Sequence, residues 1–284
     1  MDRLQEIERS IIKKFRKEIW RNFAFAAGRY ELIQENDKIA VCISGGKDSM
    51  LMAKCMQEIQ RHGRVPFELE FLVMDPGYNR ENRRRVEDNA AILGLPVRIF
   101  ETDIFDIVAD EEKSPCYLCA RMRRGALYSR AEALGCNKIA LGHHFDDVIE
   151  TILMSILYGG QVRTMMPKLH STNYPKMQLI RPMYLVKEED IRRWCRYNEL
   201  QFIQCACRFT ENCVLGDNGG GGKRQEMKEL IRSFRKINPK IEQNIFASVE
   251  NINLATVISY RDEYGVHSFL DGYDARAGGG DIDY

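Results

Sequence analysis

The chain has 284 residues, with 42 Lys and Arg against 41 Asp and Glu and a formal net charge of +1. That length buries a full core and fits one α/β domain with appended helices better than two equal domains. Near neutrality excludes a global field for a polyanion, so such a partner must be held by local basic clusters. The clearest are Arg83-Arg84-Arg85, Arg121-Met122-Arg123-Arg124, Arg192-Arg193 and Lys223-Arg224, with Lys13-Lys14, Arg16-Lys17 and Arg21 near the start. No apolar stretch approaches a membrane span, and residues 1 to 20 lack the apolar core of a signal peptide, so the expected address is the cytoplasm. Without a secretion signal, the nine cysteines point to metal binding or catalysis rather than to disulfides.

Residues 1 to 34 place Leu4, Ile7, Ile11 and Phe15 on one helical face and Lys or Arg on the other, which predicts a basic leading helix or helix pair. Strand and helix patterns then alternate: Lys38 to Ile43, Met50 to Gln60, Glu68 to Met74, Glu81 to Leu93, Val97 to Thr102, Arg121 to Leu134, Lys138 to Leu141, Asp147 to Leu157, Gln178 to Arg181 and Glu188 to Asn198. Short strands rich in Val, Ile, Leu and Phe suit a Rossmann-like parallel sheet covered on both faces, with ligands at the carboxyl ends of the strands. The glycine-rich tract from Cys213 to Gln225 offers little to bury and predicts a mobile loop. Gln225 to Lys236 and Ile241 to Leu254 read as closing helices, and Ala275 to Tyr284 as a fraying tail. The expected division is a basic leading helical segment 1–34, a central α/β domain 35–215, and 216–284 with the mobile glycine-rich loop, closing helices and frayed tail.

The most informative motif is Val41-Cys42-Ile43-Ser44-Gly45-Gly46-Lys47-Asp48-Ser49. An apolar strand that breaks into Ser-Gly-Gly-Lys-Asp-Ser before a helix brings backbone N–H groups and a helix N-terminus together, which suits phosphate. A Walker A loop needs a glycine where Val41 stands, and no dinucleotide G-x-G-x-x-G is present here. The blander alternative is a strand-to-helix turn with a surface lysine. A second polar corner, Gly142-His143-His144-Phe145-Asp146-Asp147-Val148-Ile149-Glu150-Thr151, follows the strand at Lys138 and opens another helix. Its acidic residues suit magnesium or a nucleotide, and equally an ordinary helix cap.

Together with the cysteine tracts Pro115-Cys116-Tyr117-Leu118-Cys119-Ala120-Arg121-Met122-Arg123-Arg124-Gly125 and Phe202-Ile203-Gln204-Cys205-Ala206-Cys207, these motifs resemble the PP-loop ATP pyrophosphatases, specifically the tRNA 2-thiocytidine synthetase group. The likeness covers roughly residues 20 to 210. It implies an enzyme that adenylates O2 of a cytidine, at tRNA position 32, and replaces that oxygen with sulfur. Ser44, Gly45, Gly46, Lys47, Asp48 and Ser49, with Gly142 and His143, are then the expected ATP contacts. Asp48 and Asp147 are expected to position Mg2+ or the nucleotide, Asp146 being the lesser candidate. Lys47 is expected to neutralise charge on the reacting phosphates.

Cys116 and Cys119 stand at i and i+3, so their sulfurs can face one site. With Cys205 as the preferred third ligand and Cys207 its rival, the resemblance implies a 4Fe-4S cluster with one iron left for exogenous sulfide. Bare spacing also allows zinc closed by Cys207 or Cys213, or a metal-free redox pair. Expected partners are tRNA, a sulfur donor such as a cysteine desulfurase or free sulfide, and a second copy of the chain in a homodimer. For tRNA the expected contacts are the leading helix, Arg83 to Arg85 and Arg121 to Arg124. The competing readings are a lysidine synthetase-like ligase, which needs no thiolate triad, and a noncatalytic zinc-stabilised RNA-binding module, which has no purpose for Ser44 to Ser49.

Overall fold

The computed structural model describes residues 2–109, 115–203 and 220–273. Its centre is a six-stranded sheet in the order β3-β2-β1-β4-β6-β5. The strands are β1 (Lys38–Ile43), β2 (Glu68–Asp75), β3 (Val97–Glu101), β4 (Lys138–Ala140), β5 (Lys168–His170) and β6 (Gln178–Ile180). All neighbours run parallel except the edge strand β5, which lies antiparallel to β6. The parallel sheet expected from the strand compositions is therefore present; β5, three residues long and half-exposed, carries too short an apolar signal to be read in advance.

Both sheet faces are covered, as a parallel sheet requires. Ile39, Val41 and Ile43 of β1 point into one core with α3 (Lys47–His62) and α4 (Arg80–Ile92), while Ala40 and Cys42 point into the other with α6 (Pro115–Ala133). The chain leaves β3 and returns on the opposite side of β1, so the strand order reverses between β1 and β4. That reversal leaves a crevice outside the carboxyl ends of these two strands, the usual ligand position in open α/β sheets.

The leading segment is part of the core. It runs through α1 (Arg3–Arg9), two π-helical turns (Ser10–Lys14 and Arg16–Trp20) and α2 (Arg21–Arg29). The wide turns show in the Phe15 N–H donating to Ser10 O at 2.8 Å and the Trp20 N–H to Phe15 O at 3.4 Å. Their cause lies in the apolar spacing: Ile7, Ile11, Phe15, Ile19 and Phe23 recur every fourth residue, and on a regular α-helix that row drifts by about 40° per step. Two wider turns rewind the row, and all five side chains are buried. Ser10, at the first wide turn, accepts from Trp194 Nε1 and Asn198 Nδ2, both at 3.0 Å, which fastens the segment to α8 (Glu188–Tyr197).

After the second motif comes α7 (Phe145–Gly159), and α5 (Ile104–Ala109) precedes α6. The tract expected to be a mobile loop from Cys213 to Gln225 lies outside the described residues up to Gly219; from Gly220 it is already the first turn of α9 (Gly220–Ile237). Arg224 and Lys228, one turn apart, meet carboxylates on α7 and α8, and Met227 and Ile231 are buried. These contacts outweigh the entropic cost of helical glycines, which is about 1 kcal/mol per residue. The second closing helix, α10 (Ile241–Ser248), stops six residues before the expected Leu254. A hairpin of β7 (Ser259–Asp262) and β8 (Gly265–Ser268) follows, unanticipated because none of its residues is buried. No described helix is long and apolar enough to cross a membrane.

A buried ionic cluster ties α1 to α3. Lys54, fully buried, donates to Glu8 Oε1 and Gln57 Oε1, each at 2.6 Å, and Arg61 reaches the same Glu8 oxygen at 2.7 Å. Burial pulls the Lys54 pKa down, and Glu8 is the main group opposing it. Glu8→Ala should therefore destabilise the fold by ~3 kcal/mol in urea titrations, because it strands a buried ammonium. The double change Glu8→Ala with Lys54→Met should recover most of that loss; equal destabilisation by both variants would contradict the assignment.

Candidate active site

The Ser44–Ser49 corner forms as the sequence predicts, and the reason is steric as well as polar. Gly45 adopts φ +81°, and a Cβ there would lie 2.6 Å from both Ile203 Cδ1 and Val86 Cγ2. Gly46 caps α3 without a side chain, so the first amides of the helix keep no intrahelical acceptor and face outward. Gly142, arriving from β4, packs on this turn; a Cβ there would stand 3.0 Å from the Ser49 backbone N and Cα. The two motifs thus touch through backbone.

The serines brace the loop. Ser49 Oγ accepts from Ser44 N at 3.1 Å, lies 3.1 Å from Ser44 Oγ and donates to Gly46 O at 3.0 Å. Tyr78 Oη donates to Ser44 O at 3.2 Å. Lys47 Nζ stands between two carboxylates, at 3.0 Å from Asp48 Oδ2 and 3.0 Å from Glu188 Oε1. Burial works to lower the Lys47 pKa, yet Asp48 and Glu188 outweigh it and hold the value above that of a free lysine. Glu188 also accepts from Arg192 at 2.8 Å and stands 3.6 Å from Lys228. Burial raises its pKa, but Lys47, Arg192 and Lys228 drive it down to about 2.

In the second motif, His144 caps α7: the Asp147 N–H donates to His144 Nδ1 at 3.4 Å, and the His144 N–H donates to Asp147 Oδ2 at 3.0 Å. Asp147 Oδ1 accepts from Arg224 at 2.7 Å, so both oxygens of this expected nucleotide or magnesium contact are engaged within the protein. Asp146 accepts from the Glu188 N–H at 2.7 Å. The structure sets His144 between the expected partners, its Nε2 3.9 Å from Asp48 Oδ1 and its Nδ1 3.4 Å from Asp147 Oδ2. Beneath Asp147, burial raises the Glu150 pKa to about 7 against the pull of Lys228 and Arg224.

Two cavities flank the loop. One, about 340 Å³, is apolar and lies between Ser44, Asp48, Ser49, Met74, Gly142, His143 and the α6 residues Ala120, Arg123 and Arg124. The other, about 850 Å³, is polar and lies beyond Lys47, against Arg85, Glu188, Arg192 and Phe202. Asp48 lines both, and its Oδ1 is buried without a hydrogen-bond partner. Both volumes lie in the range of small-ligand sites.

Of the expected contacts, Ser44 to Ser49, Gly142 and His143 are brought together; Asp147 stands behind His144. Cys119 is half-buried against the Met74, Ile104 and Val108 cluster. Cys116 belongs to the first turn of α6, its side chain outside the described residues, as are Cys205, Cys207 and Cys213. Among the described residues, no three His, Cys, Asp or Glu side chains converge on a metal position. Sequence reasoning missed Glu188, His144 and Arg224. The run Lys187-Glu188-Glu189-Asp190 looks like any acidic helix start, so nothing local distinguishes Glu188.

This arrangement defines an α/β nucleotide-binding protein whose anion corner sits at the switch point of the sheet. The family model for the PP-loop domain matches residues 9–208. Curated relatives include the tRNA-cytidine(32) 2-sulfurtransferases of Alcanivorax borkumensis, 36% identical across 86% of this chain and 84% of that protein, and of Citrifermentans bemidjiense, 32% identical across 80% and 88%. Among solved structures, the U34-tRNA thiolase NcsA from Methanococcus maripaludis with its [4Fe-4S] cluster superposes with a TM-score of 0.59 at 21% identity, covering 90% of this chain and 82% of that one. The chain belongs to the PP-loop family and, within it, to the tRNA-cytidine(32) 2-sulfurtransferases, a group of transferase enzymes.

His143 gives the site a measurable pH signature. Its Nδ1 is buried without a partner; burial first, then Arg181, holds its pKa down to about 4 from 6.5. The imidazole is neutral at pH 7. Because the unfolded chain binds more protons between pH 6.5 and 4, this residue's contribution to stability is full above that window and falls as pH drops through it. His143→Gln should flatten the decline of the urea midpoint between pH 7 and pH 5; an unchanged slope would show that His143 titrates freely.

Proposed function

We propose that this enzyme is an ATP-dependent tRNA thiolase that adenylates O2 of a cytidine, at position 32, and replaces it with sulfur to give 2-thiocytidine. The observation that carries the reading is a shared wall: α6, which begins with Cys116 and Cys119, presents Ala120, Arg123 and Arg124 to the cavity that also holds Ser44, Asp48 and Ser49. Sulfur chemistry and phosphate chemistry then meet in one space. The names of the curated relatives support the substrate and the reaction.

In the first step, the cytidine O2 attacks the α-phosphorus of ATP, the O2–P bond forms, and the bond to the β-phosphate oxygen breaks to release pyrophosphate. The amides at Gly45 and Gly46 and the α3 N-terminus receive the leaving pyrophosphate, while the Ser44–Ser49 hydrogen bonds keep the loop in shape. Lys47, poised between Asp48 and Glu188, supplies positive charge where phosphate charge develops. In the second step, hydrosulfide adds at C2, the C2–O bond breaks so that AMP carries the oxygen away, and the S–H proton is lost to solvent to leave 2-thiocytidine.

Mg2+ commonly binds through one or two carboxylates together with substrate phosphates. Asp48, with its unpartnered Oδ1, is the best-placed first ligand; Asp147 supports it through His144.

The thiolate donor set suits a 4Fe-4S cluster held by Cys116, Cys119 and Cys205, which would supply an iron position for sulfide.

Lys47→Ala should abolish ATP–pyrophosphate exchange while leaving iron content unchanged. Normal exchange in that variant would remove Lys47 from the phosphate site. Cys119→Ala should lose the brown chromophore and tRNA thiolation together, with pyrophosphate exchange reduced far less. Iron and absorbance at wild-type level in anaerobic preparations would move the cluster elsewhere.

A further inference from the structure

The basic clusters of this chain are not equivalent once their partners are counted. Arg83 is consumed by Asp75 and Glu87, both at 2.7 Å, and by Glu101 at 3.2 Å; Arg84 pairs with Asp88 and Arg85 with Glu81. In that patch, expected from sequence to meet RNA, Arg83 is held by three carboxylates, while the exposed pairs of Arg84 and Arg85 are weak. By contrast Arg9, Lys13, Lys14, Arg16, Lys17 and Arg21 have no carboxylate partner among the described residues, and all six are exposed. The wide turns of the leading segment bury its apolar row and leave these cations on the outside.

They do not stand alone. Lys13 and Lys14 line a groove of about 420 Å³ shared with Tyr197, the last residue of α8. Tyr197 is 55% exposed, its ring lies 4.7 Å from Lys14 Nζ, and it is propped edge-on by Phe15 at 5.7 Å. An exposed ring fixed from below beside an ammonium matches one nucleotide, base on ring and phosphate on cation. From Tyr197, α8 runs back about 7.5 Å to Arg192, which holds Glu188 and through it Lys47. Its outer arginines, Arg193 and Arg196, pair with acids of the same helix, Arg193 also lying 5.9 Å from the centre of the Phe15 ring, and such exposed pairs yield readily to phosphate.

We propose that the leading helices and α8 form the docking surface for the sugar-phosphate backbone of a folded RNA, with Lys13 and Lys14 as phosphate contacts, Tyr197 as a base platform, and α8 as the track toward the polar cavity beside Lys47. The proposal rests on the tRNA reading given above and names the face that serves it. It leads the RNA to the polar cavity beside Lys47, which shares Asp48 with the cavity walled by α6.

The test is the affinity of full-length enzyme for unmodified tRNA across a salt series, with ATP affinity measured in parallel. Lys13→Glu with Lys14→Glu should weaken tRNA binding by about tenfold or more and reduce the slope of log Kd against log salt by roughly 1.5 to 2, leaving ATP affinity unchanged. The milder Lys13→Gln with Lys14→Gln should give the same slope change with a smaller loss. Tyr197→Ala should weaken binding without altering the slope, and Tyr197→Phe should restore it. Wild-type affinity and slope in the lysine variants would overturn the docking surface alone, and so would a parallel loss of ATP affinity in both lysine pairs. Failure of the unaltered enzyme to bind tRNA would overturn the function itself.

Discussion

A helix that begins with glycine at the carboxyl end of the central strand is the constraint on which the site depends. Because Gly46 cannot cap α3, the amides of its first turn stay unsatisfied, and they sit where the sheet reverses direction. The rest of the site keeps this corner open and rigid. Gly45 takes a left-handed turn under Ile203 and Val86, Gly142 passes against the Ser49 backbone without a side chain, and the two serines spend their hydroxyls on the loop. Side chains larger than glycine at these positions would run into Ile203 and Val86 or into the Ser49 backbone and push the loop out of this shape.

Charge around the corner is arranged to hold cations close without collapsing onto them. Lys47 is shared between Asp48 and Glu188, and Glu188 is in turn shared among Lys47, Arg192 and Lys228. Each group is therefore held by more than one partner, and an arriving triphosphate exchanges one set of charge contacts for another instead of creating buried charge. The same acidic group recruits α9: Arg224 spans Asp147 and Glu150, and Lys228 spans Glu150 and Glu188. The helix that follows the cysteine-bearing tract is thereby locked to the second motif.

What the sequence made legible is what local chemistry dictates. The break from an apolar strand into Ser-Gly-Gly-Lys-Asp-Ser can serve few other ends, and the alternation of short Val- and Ile-rich runs with helical periods leads directly to a parallel sheet. The i, i+3 spacing of Cys116 and Cys119 was readable for the same reason. Glu188 was not, since its importance comes from lying beside Lys47, 141 residues away in sequence, a closeness that only the packing of α8 on α3 creates. Asp147 shows the converse: an acidic residue at a helix start reads equally as ligand or cap, and the partner that decides, Arg224, arrives from the far end of the chain. The glycine run before Gln225 misled because propensity was weighed without the ion pairs that pull α9 into shape.

The near-zero net charge conceals a division of labour. Acidic groups are concentrated where buried or half-buried cations need them: Glu8 beside Lys54, Asp37 beside Lys138, Asp75 beside Arg83, Glu188 beside Lys47. Since positive and negative residues are almost equal in number, acids drawn inward leave cations behind on some surface. Here that surface is the outer side of the leading helices, where Glu8 is turned inward to Lys54 and leaves the neighbouring cations outside. A polyanion would be attracted to this face, which lets a protein with no overall field still orient a large charged substrate. The orientation follows from the same four-residue apolar repeat that forces the π-helical turns, so burial in the core and presentation of the basic face are two results of one sequence pattern.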